Sequence, residues 1–305
     1  MNPPAPAIKA VPPPFACPSS LLVSVLMEEE TIRAKPIERL EALGTTSREW
    51  DLVDVLGVRI ACVDQDATLS AIHRWLDSGE RTYLCLTGVH GVMEARSEPA
   101  VATALAGAGM ALPDGMPMVW AGRRAGSKAI QRVYGPELML RVCRRAAESG
   151  WPVYFYGGRP GVAESLRERM SREFPSLEVA GIHSPPMREP GEPEDDEVIA
   201  RITGSGARIV FVGISTPKQD LWMSNHLERI GGSVVLIGVG AAFDIHAGLK
   251  SDAPPWVGRI GLHWLYRLLQ EPRRLWRRYF SIIPRYLAAT LRNPPRLVAR
   301  GDDRS

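Results

Sequence analysis

From about Trp50 onward, short apolar runs rich in β-branched residues alternate with segments in which apolar residues recur at helical spacing. This alternation is typical of a mainly parallel sheet covered by helices on both faces, and it predicts an α/β fold. The predicted strands are residues 82–86, 110–112, 152–156, 177–181, 208–212 and 233–237. The predicted helices are residues 92–106, 136–149, 161–173, 195–203 and 218–229.

The two ends of the chain lack this alternation, so we predict four parts. Residues 1–48 are rich in proline and carry an acidic patch, which is typical of a disordered extension. Residues 49–250 form the predicted α/β core, and residues 251–292 form a predicted basic helical appendage. Residues 293–305 are predicted to be a disordered tail.

The net charge of +3 hides a strongly basic C-terminal end. From Trp256 to Ser305 there are 11 arginines, no lysine and three acidic residues, which gives +8 and leaves 3 − 8 = −5 for the rest of the chain. Pro272 and Pro284 are expected to break this segment into separate helices. Four of its arginines, at helical offsets, share one predicted face: Arg267, Arg274, Arg278 and Arg285.

The arginine-rich face has three interpretations. An anionic membrane surface attracts such helices, and each basic side chain contributes about 1 kcal/mol. The same mixture of Arg, Trp and Tyr is also found in proteins that bind nucleic acid. A simple solvated face is less favoured, because no acidic residue balances the four arginines.

The remaining composition favours a cytoplasmic protein. Four scattered cysteines without a CxxC pair argue against a disulfide framework and a zinc site. No run approaches the roughly 20 apolar residues that span a bilayer. Residues 1–15 lack the basic start and apolar core of a secretory signal.

Several predicted strands end in glycine, where doubly wound, Rossmann-like sheets collect their ligands. The turn at Gly157 and Gly158 precedes Pro160, at which a helix is expected to start. Such a turn binds phosphate through free amides or is merely tight, and the segment alone leaves both interpretations open. It is not the dinucleotide fingerprint GxGxxG, and no Walker motif is present.

Two aspartate motifs also permit two interpretations each. Asp114 follows a predicted strand, where a helix cap is the commoner role and a general base the alternative. Asp64 and Asp66 match the DxD pattern of metal-dependent glycosyltransferases. They also precede a helix, so capping explains them at less cost.

Two further segments carry polar groups beside small residues. Lys218 and Gln219 open a helix after Thr216, and a cation at that end is disfavoured unless an anion or a sugar lies there. Asp244 and His246 follow a run of small residues that permits close approach of a ligand. An Asp–His pair suggests metal binding or acid–base chemistry, although hydrogen-bonded structural pairs are commoner.

Taken together and in order, seven segments resemble the WecG/TagA/CpsF glycosyltransferase family over roughly residues 54–290. Each motif alone is weak, but the series is specific. The segments are Thr87-Gly-Val-His-Gly-Val-Met-Glu-Ala95, Pro113-Asp-Gly-Met-Pro117, Phe155-Tyr-Gly-Gly158, Gly213-Ile-Ser-Thr-Pro-Lys-Gln219, Gly238-Val-Gly-Ala-Ala-Phe-Asp244, Gly261-Leu-His-Trp-Leu-Tyr-Arg-Leu268 and Glu271-Pro-Arg-Arg-Leu-Trp-Arg-Arg-Tyr279.

The resemblance implies inverting transfer of a hexose or N-acetylhexosamine from a UDP-sugar to a polyprenyl-diphosphate-linked sugar, without a metal or other cofactor. It implies that Asp114 is the general base, which replaces the capping interpretation. It also implies an enzyme for capsule, exopolysaccharide or cell-wall polymers, bound peripherally to the inner face of the membrane through the appendage. The expected substrate-binding residues are Thr87, His90, Gly157, Gly158, Lys218, Gln219, Asp244, Arg259, Arg267 and Arg274.

The chain departs from the family pattern at three places. The usual Thr-x-Asn is absent after Leu86, and Thr87 or His90 is the expected substitute. The usual Arg-Ala-Pro begins here with Asp252, so Arg259, Arg267 and Arg274 become the candidates for binding diphosphate. His263 replaces the glutamate of the usual Gly-Leu-Glu-Trp.

Two alternatives from other classes remain at this point. A nicotinamide-dependent Rossmann oxidoreductase fits the predicted sheet but lacks GxGxxG and the acid that binds ribose. A non-catalytic nucleic-acid-binding protein fits the basic end, but the −5 charge of the rest and the absence of a recognised motif argue against it. We therefore expect no nucleic-acid partner.

Overall fold

The structure, a computed structural model, describes residues 49–186, 189–259 and 261–299. The side chains of Pro255, Arg259, Arg274, Arg277 and Arg278 are outside this description. The predicted disordered extension, residues 1–48, also lies outside the described residues. The strands are β1 (Leu52–Val55), β2 (Val58–Ala61), β3 (Thr82–Thr87), β4 (Met110–Pro113), β5 (Val153–Gly157), β6 (Val179–His183), β7 (Ile209–Gly213), β8 (Val235–Gly238) and β9 (Arg296–Val298).

Twelve helices lie within the described residues. Before β7 they are α1 (Gln65–Ser78), α2 (Val89–Ser97), α3 (Pro99–Ala106), α4 (Met116–Arg124), α5 (Gly135–Ser149), α6 (Val162–Glu173) and α7 (Asp196–Gly204). After β7 they are α8 (Lys218–His226), α9 (Ala242–His246), α10 (Pro255–Arg259), α11 (His263–Gln270) and α12 (Pro272–Arg292).

Six strands form one parallel sheet in the order β4-β3-β8-β7-β5-β6, which confirms the predicted α/β, Rossmann-like fold. All six predicted strands are present, with ends shifted by at most two residues. Five of them form continuous apolar runs because both of their faces are buried, whereas the edge strand β6 is only partly buried. Phe155, Phe211 and Ile237 pack on one face, while Tyr154 and Leu236 pack on the other. The carboxyl ends of β4, β3, β8 and β7 are therefore neighbours at one edge.

The predicted helix over 92–106 is two helices, α2 and α3. Glu98 between them has extended backbone, as the residue before a proline prefers, and Pro99 starts α3 at its first position. Pro272 likewise starts α12. Pro284, however, lies inside α12, so the predicted break there is wrong. Leu275 and Tyr286 on either side of it are buried, and their packing holds one continuous helix.

Three strands were not among those predicted from the sequence. β1 and β2 form an antiparallel hairpin, and β9 pairs with β1. The tail predicted to be disordered from residue 293 therefore contains a strand, in which Val298 lies opposite Leu52 and packs on the core. A three-residue strand has no readable period, and its pairing depends on residues distant in the chain. Residues 300–305 lie outside the described residues.

The C-terminal helices reach across the carboxyl edge of the sheet. α12 packs on α2, and α11 packs on α12. In the described part of the chain, no helix is both long and apolar enough to cross a membrane. The predicted boundary between core and appendage at residue 250 stays a prediction.

Candidate active site

A cavity of about 890 Å³ lies at the carboxyl edge of the sheet. Its floor comes from the segments after β3, β4, β7 and β8, and its roof comes from α11 and α12. Ligands of doubly wound folds bind at this edge. The residues predicted from the sequence that line it are His90, Asp114, Gln219, Asp244 and Arg267.

Asp114 stands at the end of β4, directly in the cavity wall. The helix that follows is not capped by its side chain, because Gly115 is the N-cap of α4 and provides no side-chain hydrogen bond. The capping interpretation is therefore wrong. Burial raises the pKa of the Asp114 carboxyl, while electrostatic interactions with Arg132, Arg267 and His263 oppose the rise. A carboxylate with a raised pKa is a stronger proton acceptor, as general-base chemistry requires.

Arg132 is a cavity residue that the sequence analysis missed. Its guanidinium lies 4.1 Å from the centre of the Tyr134 ring, a cation–π contact. A Cβ on Gly258 would lie 2.3 Å from Arg132 Nη1, so the glycine leaves room for the guanidinium. One feature of the sequence could have indicated an anion-binding residue here: residues 115–136 carry four basic side chains and no acidic one.

A hydrogen-bonded cluster fixes Tyr134 from the other side. The Tyr134 hydroxyl donates to Asp252 Oδ1 at 2.5 Å, and His263 Nε2 donates to the hydroxyl oxygen at 2.9 Å. The backbone N–H of Ala253 also donates to Asp252 Oδ1 at 2.7 Å. His263 Nε2 also lies 3.4 Å from Asp252 Oδ1. The two residues that depart from the family pattern, Asp252 and His263, therefore contact each other directly and through Tyr134, and they join α11 to the segment before α5.

The Asp252 cluster makes a testable contribution to stability. Burial would raise the pKa of Asp252, but hydrogen bonds from His263, Tyr134 and Ala253 lower it below its usual value. A carboxyl group whose pKa is lower in the folded than in the unfolded state stabilises the fold at pH values above its unfolded-state pKa of about 3.9. This stabilisation disappears as the pH falls through the folded-state pKa. Asp252→Asn is therefore expected to lower the melting temperature at pH 7, with a difference that shrinks below about pH 4. Thermal unfolding from pH 3 to 8 measures this, and a constant difference would contradict it.

Asp244 lies in the cavity wall but not beside His246. Lys250 Nζ is 2.8 Å from Asp244 Oδ2 and 2.9 Å from Glu271 Oε1, so one lysine joins α9 to the start of α12. His246 instead contacts the carbonyl oxygen of Pro136 at 2.9 Å, and burial lowers its pKa. The two residues do not form the acid–base or metal-binding pair that the sequence suggested.

Gln219 presents an amide to the cavity. The side chain is 2% exposed, and its Nε2 donates to Thr216 Oγ1 at 3.3 Å. Its Oε1 is buried without a hydrogen-bond donor, which is costly unless a ligand provides one. Lys218, its neighbour in the chain, does not line the cavity.

Of the two candidates near β3, the structure brings His90 and not Thr87 to the cavity. Thr87 is buried, and its hydroxyl donates to the carbonyl oxygen of Cys85 at 3.2 Å. His90 lines the cavity, with Nδ1 3.4 Å from Glu94 Oε1. Arg267 lines the cavity as well, whereas the side chains of Arg259 and Arg274 lie outside the described residues.

The turn at Gly157 and Gly158 lies outside the cavity lining. Gly157 has φ +133°, and a Cβ there would lie 2.6 Å from the carbonyl carbon of Gly213. The N–H of Gly158 donates to the carbonyl oxygen of Gly213 at 3.1 Å. The close approach of β5 to β7 therefore accounts for Gly157, whereas Gly158 has φ +77° and a Cβ there would lie 2.8 Å from Val162 Cβ.

Gly157→Ala tests this packing role. The forced positive φ and the contact with Gly213 are expected to destabilise the fold by about 2–4 kcal/mol. Gly204→Ala is the matched control, because a Cβ at this position in α7 meets no atom within 4 Å. Chemical denaturation measures both variants. If Gly157→Ala is as stable as the wild type but loses UDP binding, the turn is a donor site instead.

Both aspartates of the DxD motif make structural contacts. Asp64 is the N-cap of α1, and its Oδ1 accepts from the N–H of Ala67 at 2.8 Å, as the capping interpretation predicts. Asp66 forms an ion pair with Arg141 on α5. Whether transfer needs a metal stays a prediction.

The sequence of this chain matches one known family. The Glycosyl transferase WecG/TagA/CpsF family matches residues 53–299. An N-acetylglucosaminyldiphosphoundecaprenol N-acetyl-β-D-mannosaminyltransferase of Bacillus spizizenii is 30% identical over 234 residues, which cover 76% of this chain and 88% of the relative. The protein of the same name from Bacillus subtilis is 29% identical over 182 residues, covering 59% and 68%. With its parallel sheet and its cavity around Asp114, the chain belongs to the WecG/TagA/CpsF family and is a glycosyltransferase.

Proposed function

We propose that the protein transfers a hexose or N-acetylhexosamine from a UDP-sugar to a polyprenyl-diphosphate-linked sugar, with inversion, in polysaccharide biosynthesis. The observation that carries the proposal is Asp114, a carboxylate of raised pKa in a cavity that is also lined by guanidinium groups. The names of both Bacillus relatives describe an acceptor of the same kind, a sugar on diphosphoundecaprenol.

In the proposed reaction, Asp114 takes the proton of the acceptor hydroxyl as its oxygen attacks the anomeric carbon. The bond from that carbon to the β-phosphate oxygen breaks, and UDP leaves with the electron pair. The carboxylate needs no metal for this step, because direct displacement requires only a base on one side and stabilised charge on the other.

Three guanidinium groups in the cavity support the stabilisation of a diphosphate. Arg124, Arg132 and Arg267 line it, and within the described part of the chain none forms a hydrogen bond or salt bridge through its side chain. Guanidinium groups bind phosphate oxygens in bidentate geometry. Gln219 and His90 add polar groups beside them, and we propose that these contact the donor.

A panel of UDP-sugars with a prenyl-diphosphate-linked sugar acceptor tests the function by UDP release, with and without EDTA. Release with one donor, dependent on acceptor and unchanged by EDTA, is the expected result. The panel includes UDP-N-acetylmannosamine and UDP-glucose, because the donor sugar is part of the proposal. Binding of UDP without release for any pair would contradict the proposed reaction.

We also propose that the protein binds peripherally to the inner face of the cell membrane through its C-terminal helices. Leu269, Trp276 and Phe280 are exposed by 73%, 48% and 72%, beside exposed arginines such as Arg273 and Arg285. Exposed apolar residues flanked by cations are typical of helices that lie in a membrane interface.

Phe280→Glu is therefore expected to weaken binding to vesicles of phosphatidylethanolamine and phosphatidylglycerol by about tenfold or more, because it removes buried apolar area and adds repulsion. Ser165→Glu adds the same charge at an exposed position on α6 and is the control. Co-sedimentation measures both variants. Equal binding would overturn the proposed membrane surface.

A further inference from the structure

The cavity extends along α12 well beyond the residues that the proposed chemistry uses. The lining continues on this helix from Tyr279 to Leu291, twelve residues further, which is about 18 Å of helix. Helix α4 also lines the cavity, through Trp120, Ala121 and Arg124. We name the part of the cavity that α4 and α12 line the α4–α12 groove.

The α4–α12 groove is mainly apolar along α12, whereas Arg124 at the end of α4 adds a guanidinium group. Its α12 wall includes Ile282, Ile283 and Leu287. Leu287 and Leu291 are 54% and 77% exposed although they line the cavity. Apolar surface of this kind in a binding cavity indicates an apolar occupant.

The polar and apolar regions of the cavity match the chemical parts of one molecule. The Asp114 carboxylate can accept a hydrogen bond from a sugar hydroxyl. The guanidinium groups of Arg132 and Arg267, which interact electrostatically with Asp114, can bind a diphosphate. The α4–α12 groove then suits a hydrocarbon chain that continues from the diphosphate. The Bacillus relatives are named for an acceptor with these three parts, sugar, diphosphate and undecaprenol.

We propose that the α4–α12 groove binds the first isoprene units of the prenyl chain of the acceptor, so that the enzyme recognises the lipid as well as the sugar. This inference rests on the proposed function. Each methylene group that the groove buries strengthens binding about fourfold, so several isoprene units dominate the affinity for the acceptor.

Two acceptors with the same sugar diphosphate test the groove separately from the proposed function. One acceptor has a long prenyl chain, and the other has a single isoprene unit. In detergent solution without a bilayer, the wild-type enzyme is expected to favour the long chain at least about 100-fold in kcat/KM, chiefly through KM. Equal kcat/KM for both acceptors would overturn the groove while still establishing glycosyl transfer. Transfer to neither acceptor with any UDP-sugar would instead overturn the proposed function.

Leu287→Glu and Ala288→Glu form the matched pair of variants. Both residues are exposed on α12, so both substitutions are expected to fold, but only Leu287 lines the cavity. Leu287→Glu is expected to lower the ratio of kcat/KM for the long acceptor to that for the short one by about tenfold. Ala288→Glu keeps the wild-type ratio. An equal ratio in both variants would overturn the proposal.

Discussion

Replacing Asp114 with asparagine is expected to reduce turnover by about 10²–10⁴-fold, the usual contribution of a positioned general base. Asparagine has nearly the same shape but cannot accept the proton of the acceptor hydroxyl. Binding of UDP is expected to change little, because the carboxylate acts on the acceptor. Turnover by UDP release and UDP affinity by calorimetry measure the two effects.

Stability and pH dependence separate loss of the base from loss of the fold. Burial raises the pKa of Asp114 above its unfolded value of about 3.9, so the ionised carboxylate costs stability above the folded pKa. Asp114→Asn removes this cost and is expected to melt at the same or a higher temperature at pH 8. In the wild type, kcat/KM is expected to fall as the pH decreases (the acid limb of the profile), with a midpoint above about pH 4, because Asp114 must be ionised to act as a base.

Asp64→Asn is the matched control for this variant, because it makes the same chemical change at a helix cap outside the cavity. Asparagine caps a helix about as well as aspartate, so activity is expected to stay at the wild-type level. Full turnover of Asp114→Asn across the pH range would reject Asp114 as the base. A lowered melting temperature would indicate that Asp114 also supports the fold.

Arg132→Ala is expected to lower kcat by about 10²-fold or more, the cost of removing one preorganised group from a developing charge. Tyr134 and Gly258 already hold the guanidinium in place, so little reorganisation accompanies the reaction. Lysine keeps the charge but loses the flat stacking surface, and Arg132→Lys is expected to restore only part of the activity.

Arg132→Ala also has a readout that a structural role would not change. The charge of Arg132 lowers the pKa of Asp114, so its removal is expected to move the acid limb of the kcat/KM profile to higher pH. Arg141→Ala, which removes a guanidinium on α5 that pairs with Asp66 outside the cavity, is the control. If Arg132→Ala keeps the wild-type kcat and the acid limb of its kcat/KM profile does not shift, Arg132 has no role in the proposed reaction.

The sheet was predictable because five of its six strands are buried on both faces. The runs around Phe155, Phe211 and Ile237 are apolar along their length, so the sequence directly indicates their burial. Pairings between distant segments produce no comparable local pattern. The strand at Arg296–Val298 depends on contact with β1, and Pro284 remains in a helix because of packing that no local pattern reveals.

The candidate site was predictable only in part. The sequence and its family resemblance identified Asp114, and the structure places His90, Gln219, Asp244 and Arg267 in the same cavity. Gly157 at the end of β5 and Lys218 at the start of α8 do not line it. A motif shows that a residue follows a strand, but whether that residue lines the cavity depends on the packing of neighbouring elements.

By itself, the sequence of this protein determined the kind of sheet, the order of its motifs and the concentration of positive charge near the C-terminus, since burial and charge are properties of the residues themselves. The tertiary structure alone decided which charges surround Asp114. The guanidinium of Arg132 lies against the ring of Tyr134 and in the space left by Gly258, and Gly258 is far from Arg132 in the chain. Such proximity is a property of packing, which no local pattern records.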